Sequence, residues 1–167
     1  MRFIGLLSDT HCYLHPKIFE FFNECDEIWH SGDIGNIDVI NKLNSFKPVK
    51  AVYGNMDGND VRYKCPKNLR FNCESVDVWI THIGGYPNNY SIDIRDEILK
   101  NPPKLFISGH SHILKVINDK KLNLLHINPG AAGKQGPHKF ITFVRFKIDK
   151  EQIKQLEIME IPRSIVV

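Results

Sequence analysis

Length, composition and charge narrow the range of functions. The chain has 167 residues, of which 42% are hydrophobic and 25% charged, which is typical of a soluble protein with one hydrophobic core. We therefore predict a single domain spanning residues 1–167. The net charge of +3 is too small for a dedicated nucleic-acid binder. No apolar run approaches the roughly 18 residues that cross a bilayer, and the four cysteines form no close pair. We expect a cytoplasmic protein with reduced thiols and no membrane partner.

Strands and helices alternate in the first half of the chain. Short apolar runs that end in polar residues are typical of buried strands, and amphipathic spacing after Pro16 predicts a helix. The predicted elements are strands at 3–7, 27–30 and 50–53 and helices at 16–23 and 37–46. This β-α-β-α-β order favours a parallel sheet with right-handed crossovers.

The second half is dominated by strands. A hairpin at 69–73 and 76–81, turning at Glu74-Ser75, precedes a helix at 92–100. Further strands are predicted at 105–107, 113–118, 122–128, 140–148 and 153–159, with a turn at 118–121. Two packed sheets with helices on their outer faces would accommodate this order, which makes the fold class α/β.

Metal-competent side chains follow the ends of several predicted strands. In open α/β sheets, ligands gather at the carboxyl ends of the strands. We therefore expect seven side chains to converge on one rim of the fold. They are Asp9, His11, Asp33, Asn55, His82, His110 and His112.

These residues occur in ordered short motifs. The motifs read Asp9-Thr10-His11, Gly32-Asp33, Gly54-Asn55-Met56-Asp57, His82 and Gly109-His110-Ser111-His112. In this order the chain resembles the calcineurin-like metallophosphoesterase superfamily, with its D-x-H, G-D, G-N-x-D, H and G-H-x-H motifs. The length and the later Ile127-Asn128-Pro129-Gly130-Ala131 are similar to its small single-domain branch. That branch includes bacterial and archaeal phosphodiesterases and the related retromer scaffold subunit.

The resemblance implies both a fold and a metal centre. The fold would be an αββα sandwich, two mixed sheets flanked by helices, as in metallo-dependent phosphatases. One divalent ion would be held by Asp9, His11 and His112, a second by Asn55, His82 and His110, and Asp33 would bridge the two. A ligand set rich in imidazole suits manganese, iron, zinc or nickel better than magnesium or calcium, and we expect two manganese ions. The implied reaction is hydrolysis of a phosphodiester by in-line attack of a metal-bridging hydroxide.

Further residues near the motifs are candidates for supporting roles. His30 precedes Ser31-Gly32-Asp33 and is a candidate to orient Asp33, while Asp57 is either a turn residue or a group that orients its neighbours. Arg62 and Lys134 are candidates for contacts with phosphate oxygens. Many relatives carry a histidine, thought to protonate the leaving group, where this chain has Met56. We therefore expect a preference for esters whose leaving group departs easily, or protonation through water.

Three alternatives stay open at the sequence level. The substrate is a phosphate-ester small molecule, and hydrolysis of a monoester is the first alternative to the diester. A nucleotide or nucleic-acid fragment is included because Tyr13, Tyr86 and Tyr90 would be able to stack on a base. The second alternative is a non-catalytic scaffold like the retromer subunit, and the third is a mononuclear metal oxygenase. A sheet edge would permit a homo-oligomer, and His15, His126 and His138 are expected to be structural.

Overall fold

The first half of the chain alternates strands and helices, as predicted. The computed structural model describes residues 1–165. The elements are β1 (Arg2–Leu7), α1 (Lys17–Phe21), β2 (Glu27–His30), α2 (Ile37–Phe46), β3 (Val49–Ala51) and α3 (Asn59–Lys64). The predicted β-α-β-α-β order is confirmed, because β1, β2 and β3 pair in parallel.

The second half contains most of the strands. The elements are β4 (Asn68–Cys73), β5 (Val76–Thr81), β6 (Gly85–Tyr86), β7 (Asn89–Tyr90), α4 (Ile92–Lys100), β8 (Leu105–Ile107), β9 (Leu114–Asp119), β10 (Leu124–Pro129), β11 (Phe140–Asp149) and β12 (Gln152–Pro162), followed by a 3-10 turn at Arg163–Ile165. The hairpin β4–β5 and the helix α4 match the prediction. No helix among residues 1–165 is both long and apolar enough to cross a membrane.

Two five-stranded mixed sheets form the centre of the fold. Their strand orders are β12-β11-β1-β2-β3 and β4-β5-β8-β10-β9. Each sheet has a parallel centre flanked by antiparallel strands: β11 joins β1, while β4 and β9 join β5 and β10. The predicted α/β class with two mixed sheets is therefore confirmed.

A hydrophobic layer lies between the two sheets. Ile4, Trp29 and Val144 from the first sheet belong to one fully buried cluster with Val78 and Ile107 from the second. Each such side chain stabilises the folded state by about 1.5–3 kcal/mol through burial. This layer holds the two sheets, and thus the loops at their carboxyl ends, in a fixed relation.

Helices cover the outer faces of both sheets. Phe22, which directly follows α1, and Leu43 of α2 are buried in a cluster with residues of β1 and β11. Ile94 and Ile98 of α4 pack in a separate cluster with Phe106 of β8. The layer order is therefore helix, sheet, sheet, helix, which is the αββα sandwich.

Several predicted boundaries were wrong. Helix α1 ends at Phe21 instead of about Asn23, because the chain then turns so that the Asp26 N–H donates to the Phe3 carbonyl at 2.7 Å. The turn after β9 lies later than predicted, since the Asp119 carboxylate accepts from the N–H groups of Lys121 and Leu122.

Two elements were missed and one was predicted too short. Helix α3 buries only Val61, so it lacks an apolar stripe, and the hairpin β6–β7 has strands of only two residues each. Strand β12 runs to Pro162 because it pairs with β11 along almost its whole length.

Candidate metal centre

Six of the seven predicted ligands form two adjacent clusters at the carboxyl ends of the strands. The first cluster consists of Asp9, His11 and His112, and the second of Asp33, His82 and His110. In each cluster the potential ligand atoms lie within 4.8 Å of one another. Asn55, the seventh residue, is exposed and lines a cavity together with His82.

Asp33 and Asp9 link the two clusters. Asp33 Oδ2 lies 3.3 Å from His82 Nε2 and 3.9 Å from His11 Nε2. Asp9 Oδ1 lies 3.1 Å from His112 Nε2 and 3.9 Å from His82 Nε2. Asp33 and Asp9 therefore each lie 3.9 Å from a histidine of the other cluster, and the bridging role of Asp33 stays a prediction.

Buried polar atoms in both clusters fit a bound cation. Asp9 Oδ1, His11 Nε2 and His82 Nε2 are buried and have no hydrogen-bond partner among residues 1–165. An unsatisfied buried polar atom costs about 1–3 kcal/mol, so three in one place need a compensating ligand. Oxygen and imidazole nitrogen are both donors to borderline divalent ions. The residues present therefore fit the metals that the family implies.

The opposite oxygens of the two carboxylates are tied to the protein. Asp9 Oδ2 accepts hydrogen bonds from the Ser8 hydroxyl at 2.6 Å and the His110 N–H at 3.1 Å. Asp33 Oδ1 accepts from the Met56 N–H at 2.9 Å. Each carboxylate is thereby oriented with its other oxygen directed to the clusters.

Both carboxylates are held ionised. Burial acts to raise the pKa of Asp9, but the neighbouring His112 and His82 and the Ser8 hydroxyl outweigh it, and the pKa lies below its ordinary value. The pKa of Asp33 is lowered in the same way: burial raises it, and His82 outweighs the burial. An anionic pair of carboxylates is the form that binds a cation.

His82 and His30 are oriented by hydrogen bonds that determine their tautomers. His82 Nδ1 donates to the Ser31 carbonyl at 2.8 Å, which directs Nε2 to the clusters. His30 Nδ1 accepts from the Gly32 N–H at 3.1 Å, and its Nε2 therefore donates to Thr10 Oγ1 at 2.9 Å. Burial lowers the pKa of His30 to about 4, so the ring is neutral. His30 contacts the loops that carry the first and second motifs, and no hydrogen bond joins it to Asp33 in the described part of the chain.

The motif backbone adopts conformations that side chains rarely take. Five of the predicted ligands have positive φ, namely Asp9 (53°), His11 (43°), Asp33 (52°), His110 (69°) and His112 (59°). Such strained residues cluster at functional sites, where the surrounding structure maintains them. Gly54 allows the loops to meet, because a Cβ there would lie 2.0 Å from Asp33 Oδ1.

Asp57 and Arg62 brace the loop that carries Asn55. The buried Asp57 carboxylate accepts from the Gly35 N–H and the Gly54 N–H, both at 2.8 Å. Arg62 Nε donates to the Asp57 carbonyl at 2.7 Å, and its Nη2 lies 3.2 Å from the Asn55 carbonyl. Asp57 therefore joins the loop after β2 to the loop after β3. The Arg62 guanidinium is largely engaged with this loop.

Lys134 and the loop tyrosines lie outside the two clusters. The Lys134 ammonium lies 4.5 Å from the centre of the Tyr13 ring, in the segment after Gly133, whose N–H donates to the Asp9 carbonyl at 3.0 Å. Tyr90 is buried and donates to Asp119 at 2.6 Å. Tyr90 is therefore neither an exposed loop residue nor free to stack on a base.

Asn128 is a supporting residue that the sequence analysis did not assign. Its buried Nδ2 donates to the Gly109 carbonyl at 2.9 Å and lies 3.1 Å from Ser111 Oγ, while its Oδ1 accepts from the Gly130 N–H. It thus supports the loop that carries the G-H-x-H motif. The Asn128-Pro129-Gly130 sequence was the available signal, but it suggested only the family branch.

A cavity of about 280 Å³ opens beside the second cluster. It is bounded by Asn55 and His82 on one side and by Arg62, Lys67 and Ile83 on others. A group attached to a substrate phosphate would find room here.

Comparisons with known proteins agree with this geometry. Residues 1–151 match the model of the calcineurin-like phosphoesterase superfamily domain. A probable metallophosphoesterase of Methanothermobacter thermautotrophicus is 30% identical over 135 residues, covering 77% of this chain and 76% of that protein. The structure of an archaeal phosphodiesterase is similar with a TM-score of 0.69 at 21% identity, covering 95% of this chain and 99% of that one. Wild-type Vps29 from Entamoeba histolytica in complex with Zn²⁺ has a TM-score of 0.71 at 14% identity, covering 96% and 99%.

The fold and the family match place this protein in the metallophosphoesterase class. The chain belongs to the calcineurin-like phosphoesterase superfamily. Members of this family are metal-dependent enzymes acting on phosphate esters, and the chain carries two groups of residues able to bind metal.

Proposed function

We propose that the protein is a dinuclear-metal-dependent phosphodiesterase. The observation that carries this proposal is the convergence of three buried ligand atoms that make no hydrogen bond within residues 1–165, namely Asp9 Oδ1, His11 Nε2 and His82 Nε2, at the junction of the two clusters. When bound, two divalent ions supply positive charge for the phosphate and lower the pKa of water to about 7, which yields a nucleophile at neutral pH.

The side chains divide the work of holding these ions. Asp9, His11 and His112 would hold one ion, and Asn55, His82 and His110 the other, with Asp33 contacting both. The position of Asp33 Oδ2, 3.3 Å from His82 Nε2 and 3.9 Å from His11 Nε2, supports its contact with both ions. His30 and Asp57 keep the ligand loops in place through backbone hydrogen bonds.

The diester preference rests on the family resemblance alone, and the nature of the leaving group is a separate prediction. Met56 is 63% exposed and has no proton to donate, and both oxygens of Asp57 accept from backbone N–H groups. Neither residue would protonate a departing alkoxide, so we expect a substrate whose leaving group departs easily. Arg62 and Lys134 stay candidates for binding the substrate, Arg62 because it lines the cavity beside Asn55. A monoester is the second candidate substrate.

The native metal is proposed to be manganese. Nitrogen-rich sites also accept iron, zinc or nickel, and one similar structure, that of Vps29, contains Zn²⁺. Three further points stay predictions. They are that the substrate is a nucleotide or nucleic-acid fragment, that the protein forms a homo-oligomer, and that residues 1–167 form a single domain. A cytoplasmic location is supported by four cysteines that are all free within residues 1–165.

A scaffold function is the alternative from another class. The similarity to Vps29 structures is compatible with a scaffold function, but a similarity at 14% identity shows only that the fold is shared. Metal binding alone does not separate the two functions, because a Vps29 structure also contains Zn²⁺, so hydrolysis of a phosphate ester is the observation that decides between them. The oxygenase alternative accounts for three of the seven predicted ligands, and one bound iron per chain would support it.

Hydrolysis assays test the proposal. The manganese-loaded protein should hydrolyse bis(p-nitrophenyl) phosphate faster than p-nitrophenyl phosphate, and His82→Ala should abolish both reactions. His15→Ala, which changes a histidine outside both clusters, should leave the rates unchanged. Inactivity of the metal-loaded wild type on both esters would contradict the proposal.

A further inference from the structure

The two ring nitrogens of His112 face different partners. Nε2 lies 3.1 Å from Asp9 Oδ1 in the first cluster, and Nδ1 lies 3.3 Å from Nδ1 of His138. The two rings are 5.2 Å apart and nearly perpendicular, at 71°. His138 therefore contacts a predicted metal ligand on the edge that points away from the cluster.

Hydrogen bonding determines which nitrogen of each ring carries the proton. His138 Nε2 lies 2.9 Å from the Gly133 carbonyl, and because a carbonyl only accepts, Nε2 must donate. The Nδ1 of a neutral His138 is then an acceptor, so the His112 Nδ1–H donates to it. With the proton of the ring on Nδ1, Nε2 of His112 would offer its lone pair to an ion bound in the first cluster, as a metal ligand requires.

The segment that carries His138 is closely packed against His112. Gly136 has a φ of +126°, and a Cβ at this position would lie 2.2 Å from His112 Nδ1. Arg163 donates from Nη1 to the carbonyls of Lys134, at 3.2 Å, and of Gly136. The loop is thus held against the first cluster by a residue that follows the last strand.

The second cluster is supported differently. There the Nδ1 of His82 donates to a backbone carbonyl, that of Ser31, which no side-chain substitution removes. Among these contacts, His112 of the first cluster is oriented by another side chain, whereas His82 of the second cluster is oriented by the backbone. A change at His138 should consequently affect one ion and spare the other.

We propose that His138 is a positioning residue that fixes the tautomer and ring orientation of His112, and thereby the affinity of the ion bound by the first cluster. This inference rests on the proposed dinuclear site. Residues that orient a metal ligand typically change metal affinity by about 10–100-fold when removed. His138 was expected to be structural, and its position 26 residues from His112 gave no sequence signal of this contact.

Zn²⁺ binding to the full chain tests the proposal. Calorimetric titration gives the two affinities, and the ¹⁵N shifts of the imidazole rings show which ion binds to which cluster. His138→Ala should weaken the ion at His112 by about 10–100-fold and leave the ion at His82 unchanged. His138→Gln should recover most of the affinity, because an amide can accept from His112 and donate to Gly133 at once.

The Nδ1–H of His112 provides a readout that a merely structural role would not change. In the zinc-loaded wild type and in zinc-loaded His138→Gln, this N–H should be hydrogen-bonded and protected from exchange with solvent, and in His138→Ala it should exchange faster. Equal weakening of both ions, unchanged affinity in His138→Ala, or an unprotected His112 Nδ1–H in the zinc-loaded wild type would each overturn the proposal. If His138→Ala does not fold, the affinity of His138→Gln and the protection of this N–H in the wild type still decide it.

The outcomes separate this inference from the proposed function. Two bound zinc ions with no hydrolysis of either ester would contradict the proposed function and leave the role of His138 intact. Fewer than two ions bound to the wild type would overturn both.

Discussion

Asp57 connects two ligand loops, and its removal should destabilise the protein by an amount that the structure predicts. In Asp57→Asn one oxygen can still accept from a backbone N–H, but the amide NH₂ must face the second N–H. A hydrogen bond to a charged group contributes about 1.5–3 kcal/mol, and a buried donor left unpaired costs about 1–3 kcal/mol. Because the substitution also removes a buried charge, we expect a net loss of about 2–4 kcal/mol.

Urea denaturation of the metal-free protein measures this loss. The matched control is Asp60→Asn, since Asp60 is exposed and accepts one bond, from the Ile37 N–H at 3.0 Å. That variant should lose about 1 kcal/mol or less. Asp57→Asn should also weaken metal binding. The loops that carry Asp33 and Asn55 would be held less firmly, because Gly35 and Gly54 in these loops lose hydrogen bonds to the carboxylate. If the two variants are equally stable, Asp57 does not brace the site as described.

Three other changes have defined outcomes. Met56→His should accelerate hydrolysis of alkyl phosphate esters by up to about 10²-fold with little change on nitrophenyl esters, and no gain would contradict the leaving-group argument. In a metal titration, Gly54→Ala should weaken metal binding by at least about tenfold, because the added Cβ would lie 2.0 Å from Asp33 Oδ1. Gly58→Ala is the control, since the atom nearest to a Cβ at that position is 3.2 Å away. Burial, with a smaller effect of Lys115, lowers the pKa of His126 to about 4. His126 binds a proton below about pH 6.5 in the unfolded chain but only below about pH 4 in the folded protein. The free energy of unfolding should therefore fall by about 3 kcal/mol as the pH is lowered from 6.5 to 4. This part of the loss should be absent in His126→Gln, and identical denaturation profiles of the two proteins would refute it.

The sequence predicted which polar side chains lie close together better than it predicted the element boundaries. The ends of β1, β2, β5 and β8 could be predicted because each strand is a short apolar run followed at once by polar residues. Parallel pairing then brings those polar residues to one edge, as Asp9 and Asp33 show. Helix α3 could not be read in this way, because Val61 is its only buried residue.

Supporting contacts were the least predictable part of the site. Asn128 and His138 act on residues 19 and 26 positions away, and nothing in their neighbourhood distinguishes them from structural residues. Ser8 is next to Asp9, but its hydrogen bond to the carboxylate depends on a backbone conformation with positive φ that the sequence does not reveal. Such contacts follow from the tertiary fold and not from local pattern.

Anomalous diffraction from crystals of the manganese-loaded protein tests the central claim most directly. The account predicts two manganese peaks per chain, one bound by Asp9, His11 and His112 and the other by Asn55, His82 and His110, with Asp33 in contact with both. A single peak, or peaks away from these side chains, would contradict it.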